Sequence, residues 1–279
     1  MTDRGTANSM PRLGPVLARA VLWRRHFSGP LAPDRLIASD QAVDPERLWR
    51  FQRLCGFRVS DRLPPSYPHL MAFPLMMARF ARPDFPFPVL GLVHLTNQLR
   101  QLRPIRSSER LSFSVRLADR RGHPAGELID LITEASSDTE PVWQETSSYL
   151  HRSGGRSGGG HKSPEPVAAT IGWDVPADIG RRYAAISGDR NPIHLHRLTA
   201  RPFGFSRPIA HGMWLLARTL AAFEGRLPGA FELTGQFQAP VLLPSRVLLR
   251  SERPSGQWDF SVHDARTGKP HLTGSVRGS

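Results

Sequence analysis

The chain has 279 residues, 39% hydrophobic and 22% charged, which suits a globular protein with a buried core, as one large domain or two small ones. No apolar run approaches the roughly 18 residues of a membrane helix. Residues 14–23, GPVLARAVLW, are interrupted by Arg19 and are too short for a signal-peptide core, so a cytoplasmic protein is expected. The single cysteine, Cys55, allows no intramolecular disulfide. A formal net charge of +13 raises the question of nucleic acid, yet Lys162 and Lys269 are the only lysines and the arginines are scattered. No basic run is interleaved with aromatics, so nucleic-acid binding is not expected.

Residues 1–40 carry no assignable pattern and read as an N-terminal extension. In residues 43–57, VDPERLWRFQRLCGF, Asp44-Pro45 marks a helix start, and Leu48, Phe51 and Leu54 follow at helical spacing. Residues 72–80, AFPLMMARF, read as a short, proline-started helix of core composition. The stretches 90–105, 110–137 and 141–152 alternate between Gly, Pro and Asp punctuation, as strands do. Residues 151–166, HRSGGRSGGGHKSPEP, have no apolar periodicity and read as a flexible linker. It separates a first half, 41–150, from a second, 167–279.

The second half echoes the first. Residues 175–189, VPADIGRRYAAISGD, align without gaps on 43–57, so that Phe51 meets Tyr183, Cys55 meets Ser187, Gly56 meets Gly188 and Phe57 meets Asp189. Met213, Leu216, Ala217, Leu220 and Ala221 then form the stripe of a buried helix. Residues 231–244, 246–267 and 269–278 read as strands. Each half is mostly antiparallel strand with one principal buried helix, an α+β pattern repeated twice.

Chemistry concentrates in residues 183–196, YAAISGDRNPIHLH. Asp189 and His194 are five apart, so one continuous helix would place them on different faces. Gly188 allows a backbone turn and Pro192 disfavours helix at Asn191, so the chain is expected to leave a helix and fold back. Downstream, residues 204–213, GFSRPIAHGM, bring His211-Gly212 to the start of the buried helix, where free N–H groups can stabilise an oxyanion.

These two segments resemble the hydratase signature of the MaoC-like family of (R)-specific enoyl-thioester hydratases and (3R)-hydroxyacyl-thioester dehydratases. Gly188, Asp189, Asn191, Pro192 and His194 are in register, then Ala210, His211 and Gly212. The resemblance implies a double hot-dog fold, each half an antiparallel sheet wrapped around a central helix, with a degenerate first half and one working site per chain. It further implies that Asp189 and His194 form the general acid/base pair, that Asn191 supports the loop, and that the Gly212 N–H receives the thioester oxygen. Ser187, Ile209, Ala210 and His211 are expected beside the substrate. In such a fold the degenerate half often loses part of its central helix, making Leu70, Phe73 and Met77 candidates for an acyl tunnel. His196 stands where many relatives have Asp and is read as a rim residue.

The thioester itself acidifies the C2 proton, so no cofactor or metal is expected. His69 and His94 with His194 and His196 lack a cysteine or paired carboxylate at ligand spacing. The expected substrate is an acyl-coenzyme A or acyl-carrier-protein thioester, both anionic and suited to a basic surface, and a monomer or homodimer fits. Two other readings stay open: a non-catalytic acyl-thioester-binding subunit of a dehydratase complex, and a hot-dog thioesterase.

Overall fold

The computed structural model describes residues 6, 7, 9–22, 29, 31, 34–153 and 171–278. Its first half contains β1 (Thr6–Ala7), α1 (Leu13–Leu22), β2 (Leu36–Ala42), α2 (Pro45–Cys55), α3 (Tyr67–Phe80), β3 (Val93–Gln101), β4 (Arg110–His123), β5 (Gly126–Ser137) and β6 (Glu140–Arg152). The second contains β7 (Ile171–Val175), α4 (Ile179–Ser187), a 3₁₀ turn (Pro192–His194), α5 (Arg197–Ala200), α6 (Gly212–Ala221), β8 (Phe231–Phe237), β9 (Ser245–Glu252), β10 (Trp258–Asp264) and β11 (Pro270–Gly278).

The strands form one sheet in the order β1-β2-β4-β5-β6-β3-β8-β11-β10-β9-β7. All neighbours are antiparallel except β1 beside β2. Outward from the seam between β3 and β8, both directions give the same order once β2 is matched with β7 and β4 to β6 with β9 to β11. The repeat read in the sequence is thus a structural repeat, fused along β3 and β8, where Asn97 pairs with Gly235 and Leu99 with Leu233. α3 and α6 are the central helices, and their apolar residues join the inward faces of both half-sheets in one core.

The helix pairs show why the sequence folds this way. Asp44 caps α2, its Oδ1 accepting from the N–H groups of Glu46 (2.9 Å) and Arg47 (3.2 Å). Gly56 ends α2 with φ 82° and Gly188 ends α4 with φ 83°, the left-handed cap that glycine adopts without strain. The aligned residues Phe51 and Tyr183 meet between the two helices, ring centroids 6.4 Å apart.

The expected shortening of the first central helix is overturned. α3 has 14 residues against 10 in α6, and every α3 residue except Ala78 is buried. Pro68 falls in its first turn, where no intrahelical donor is needed. Pro74, in its interior, cannot donate to the Leu70 carbonyl, and the Arg47 guanidinium donates there instead, at 3.2 Å. Leu70, Phe73 and Met77 are therefore packed core side chains of an intact helix. Two further boundaries move. α1 lies within the patternless extension and β2 begins at Leu36, so a division at 40/41 cuts a strand. β6 runs through His151 and Arg152, and the linker reading of 154–166 lies outside the described residues.

Candidate active site

α4 delivers the site loop. At its end the Ser187 hydroxyl donates to the Tyr183 carbonyl (2.9 Å) and accepts from the Asp189 N–H (3.1 Å). With Ser187 buried and its hydroxyl engaged on both sides, its geometry is that of a loop clasp rather than of a substrate contact. Asp189 Oδ1 accepts from the Asn191 N–H (3.1 Å), and Asn191 Oδ1 from the Ile193 N–H (3.4 Å). These local bonds wind the chain into the 3₁₀ turn that carries His194 back toward Asp189.

The returning imidazole is fixed from its far side. His194 Nδ1 lies 2.8 Å from the Ile209 carbonyl, so Nδ1 carries the proton and Nε2 is left as the acceptor. Ile209 is itself tied to the turn, its N–H donating to the Ile193 carbonyl (3.1 Å), and the Ala210 N–H donates to the Val241 carbonyl (2.9 Å). Both residues are buried and meet the site through their backbone.

His211 completes the cluster. Its ring stacks on that of His194 with centroids 3.6 Å apart, and its Nε2 donates to the Asp189 carbonyl oxygen at 3.0 Å. At 3% exposure it supports the other two residues from behind and offers no open face to a substrate. Asp189, whose side chain is 32% exposed, is the open side of the group. Ligating atoms of Asp189, His194 and His211 all lie within 4.8 Å of one another.

Electrostatics follow from burial and neighbours. Burial pushes the Asp189 carboxyl up, but the His211 and His194 imidazoles, the Asn191 N–H and His69 outweigh it and hold the carboxyl below the usual range. Burial lowers His194, against the pull of Asp189 and Ile209, and pushes His211 down to about 3. At neutral pH the site therefore holds an ionised carboxylate beside two neutral imidazoles. Such a grouping invites comparison with a metal site. However, His194 Nδ1 and His211 Nε2 carry their protons toward the Ile209 and Asp189 carbonyls, so His211 turns an N–H and not a lone pair to the Asp189 side, whereas a metal site needs convergent lone pairs. The donor set fits a metal poorly.

α6 begins at Gly212, directly after His211, with no side chain capping its first turn. Its leading N–H groups thus remain available beside the cluster. A Cβ on Gly212 would meet the Phe237 ring at 3.0 Å, so β8 packs closely on this helix start and a larger residue would press on that ring. His196 is exposed and caps α5, its Nδ1 accepting from the Leu198 N–H. Leu70, Phe73 and Met77 sit in α3 across from the loop, and Phe73 comes within 3.9 Å of a Cβ built on Gly188.

Two supports were not legible in the sequence. The Arg47 guanidinium, in the first half, donates to the Ile186 carbonyl (2.8 Å) and the Ser187 carbonyl (3.4 Å) at the end of α4, besides Leu70. A side chain at Gly188 would collide with Leu13 of α1, so the extension packs directly on the site loop. The only sequence signal for the Arg47 contact was Pro74, which frees the carbonyl that anchors it.

Fold and site together define a double hot-dog protein with a carboxylate–imidazole centre in its second half, and comparison with known proteins agrees. The MaoC like domain family model matches residues 159–274. The 3-hydroxyacyl-thioester dehydratase X of Mycobacterium tuberculosis is 35% identical over 253 residues, covering 88% of this chain and 90% of that protein. The crystal structure of HtdX from Mycobacterium tuberculosis superimposes with a TM-score of 0.79 at 33% identity, over 88% of this chain and 100% of that one. A Mycobacterium tuberculosis protein described as having a double hot-dog fold matches with a TM-score of 0.55 at 11% identity, over 89% and 97% of the two chains. The chain belongs to the MaoC-like dehydratase family. Among its described residues no helix is long and apolar enough to cross a membrane.

Proposed function

We propose that this chain is a (3R)-hydroxyacyl-thioester dehydratase, interconverting a 3-hydroxyacyl thioester with the trans-2-enoyl thioester and water. The observation that carries this reading is the convergence of the Asp189 carboxylate with a neutral His194 whose Nδ1 is locked on the Ile209 carbonyl. In the hydration direction Asp189 and His194 Nε2 hold the water. Its oxygen bonds to C3 as one of its protons passes to the pair, and the pair returns a proton to C2. The thioester oxygen, which carries the enolate-like charge between these events, lies against the Gly212 N–H at the start of α6. His211 and Asn191 hold the pair in place. The acyl carrier is coenzyme A or acyl-carrier protein, whose phosphates suit the net charge of +13.

The test is to incubate the purified chain with crotonyl-coenzyme A and longer trans-2-enoyl thioesters on both carriers, following loss of the conjugated enoyl absorbance. The expected product is the (3R)-hydroxyacyl thioester. Release of free thiol without hydration would assign a thioesterase, and absence of turnover on every substrate would assign a binding subunit.

A further inference from the structure

Between the two segments of the site the chain makes an excursion that neither the core nor the proposed chemistry uses. Residues 195–208 leave from His194 and return at Ile209. There the Ile209 N–H donates to the Ile193 carbonyl (3.1 Å), and the Ile209 carbonyl holds His194 Nδ1. The excursion consists of α5 and a second 3₁₀ turn (Arg201–Phe203), with Thr199 Oγ1 donating to the Pro192 carbonyl at 2.7 Å. Both of its ends are thus pinned at the site, and Ala200 is its one buried residue.

What it shows to solvent differs from the rest of the surface. Leu198 is 65% exposed, the most of any large hydrophobic side chain described, and Phe203 is 37% exposed. Single exposed hydrophobics need no explanation, but two on one short excursion beside an open site do. The charge around them is one-sided. Arg190, Arg197, Arg201 and Arg207 flank them, and residues 190–223 contain no Asp or Glu. Arg190, Arg197 and Arg201 are exposed, and Arg207 is held by donating to the Pro244 carbonyl at 3.2 Å. Among the described residues none of the four is paired with a carboxylate. Elsewhere many arginines are neutralised, as Arg35 is by Glu134, Arg103 by Glu109 and Arg246 by Asp174. Part of the +13 excess therefore stands unpaired around Leu198 and Phe203, next to the open side of the site at Asp189.

We propose that this face docks an acidic acyl-carrier protein, with Leu198 and Phe203 as its apolar centre and Arg190, Arg197, Arg201 and Arg207 as its charged rim. This docking role deepens the dehydratase reading and rests on it for the thioester that the carrier bears. The spread of the arginines from 190 to 207 fits carboxylates distributed over a protein surface better than the compact diphosphate of coenzyme A, which takes converging donors. An apolar centre within a polar rim is likewise the anatomy of a protein interface. The carrier's carboxylates meet the arginines, steer the encounter and make it sensitive to salt.

The test compares the full-length wild type with the double variant Arg197→Glu/Arg201→Glu and with Leu198→Ala. Each is assayed for hydration of one trans-2-octenoyl chain borne on a bacterial acyl-carrier protein, on coenzyme A and on N-acetylcysteamine. Binding of the unacylated holo-carrier protein is read by fluorescence anisotropy across a salt series. In the double variant kcat/KM for the carrier-protein thioester falls about tenfold or more, through KM. The coenzyme A thioester loses far less, and the N-acetylcysteamine thioester is unchanged. Leu198→Ala weakens carrier-protein binding severalfold, and the double variant flattens its salt dependence. Equal losses on carrier protein and coenzyme A, a loss confined to coenzyme A, or no loss on the carrier protein overturns the proposal. Should the double variant not fold, Leu198→Ala decides by the same comparison. A wild type that hydrates none of the thioesters sinks the dehydratase reading alone. Carrier-protein binding then still decides: binding weakened in the variants supports the docking face, and binding unchanged overturns it.

Discussion

The ends of α2 and α4 are built on one plan and put to different uses. Each helix stops at a glycine in the left-handed conformation, and each has its last carbonyls gripped by the other half: Trp214 Nε1 donates to Leu54, and Arg47 donates to Ile186 and Ser187. After Gly56 comes Phe57, buried and stacked near Phe51. After Gly188 comes Asp189, partly open and followed by a loop that returns His194 to it. One residue at a shared cap thus separates a core contact from the carboxylate proposed to react. The scaffold is thus in place in both halves, and the proposed chemistry requires a carboxylate at the bend together with a second bend to bring in His194.

The largest effects should come from erasing that difference. Asp189→Asn and His194→Ala should each lower hydration by about 10²- to 10⁴-fold; melting temperature should change little in Asp189→Asn and fall modestly in His194→Ala, which removes a buried ring and leaves the Ile209 carbonyl without its donor. Phe57→Asp should give no activity and should destabilise the protein, because an unpaired carboxylate would be buried beside Phe51. The next contrast is between the glycines. Gly56→Ala and Gly188→Ala both force a side chain into the left-handed region, at about 1–2 kcal/mol each. Only at Gly188 does the new Cβ also collide with Leu13, whereas at Gly56 it meets the flexible Arg218 side chain at 3.2 Å. Hydration should therefore be lost selectively in Gly188→Ala, as rates and melting temperatures of both variants would reveal.

Smaller effects follow from the cross-half grips. Arg47→Ala leaves buried carbonyls without a donor, at about 1–3 kcal/mol each, and should lower kcat by loosening the loop. Trp214→Phe should cost about 1 kcal/mol and leave kcat nearly intact. Stability should also fall on acidification. His194 and His211 have folded pKa values below the ordinary 6.5, so the unfolded chain binds their protons first. Stability present above that value is lost as pH falls toward the folded pKa, which for His211 is about 3. Asp189, also held low, adds a loss only below its usual value of 3.8. Denaturant unfolding between pH 7 and 4 should accordingly flatten in His211→Asn.

Much of this was legible in the sequence because it was written in local rules. The Asp44-Pro45 start, the glycine caps and the alternation of β4 to β6 and β9 to β11 each follow from residues close in the chain. So does the Asp189 turn, whose side-chain bonds from Ser187, Asp189 and Asn191 each reach two residues along the chain. The losses had physical causes. β2 hides because Asp40, with φ 57°, and a bulge between Ala38 and Gln41 break its alternation. α3 was read as short because Pro74 marks a break in sequence, and its substitute donor, Arg47, is 27 positions away. Contacts such as Arg47 with Ser187, Leu13 with Gly188 and His69 with Glu145 join distant segments, and nothing in either partner's neighbourhood announces the other.

The central claim is that Asp189 and His194 work as one unit. The most direct measurement is the hydration rate of the double variant Asp189→Asn/His194→Ala beside the two single variants. A shared function predicts that the double variant is barely slower than the worse single one. Rate losses that simply multiply would mean two independent residues, and would contradict the account.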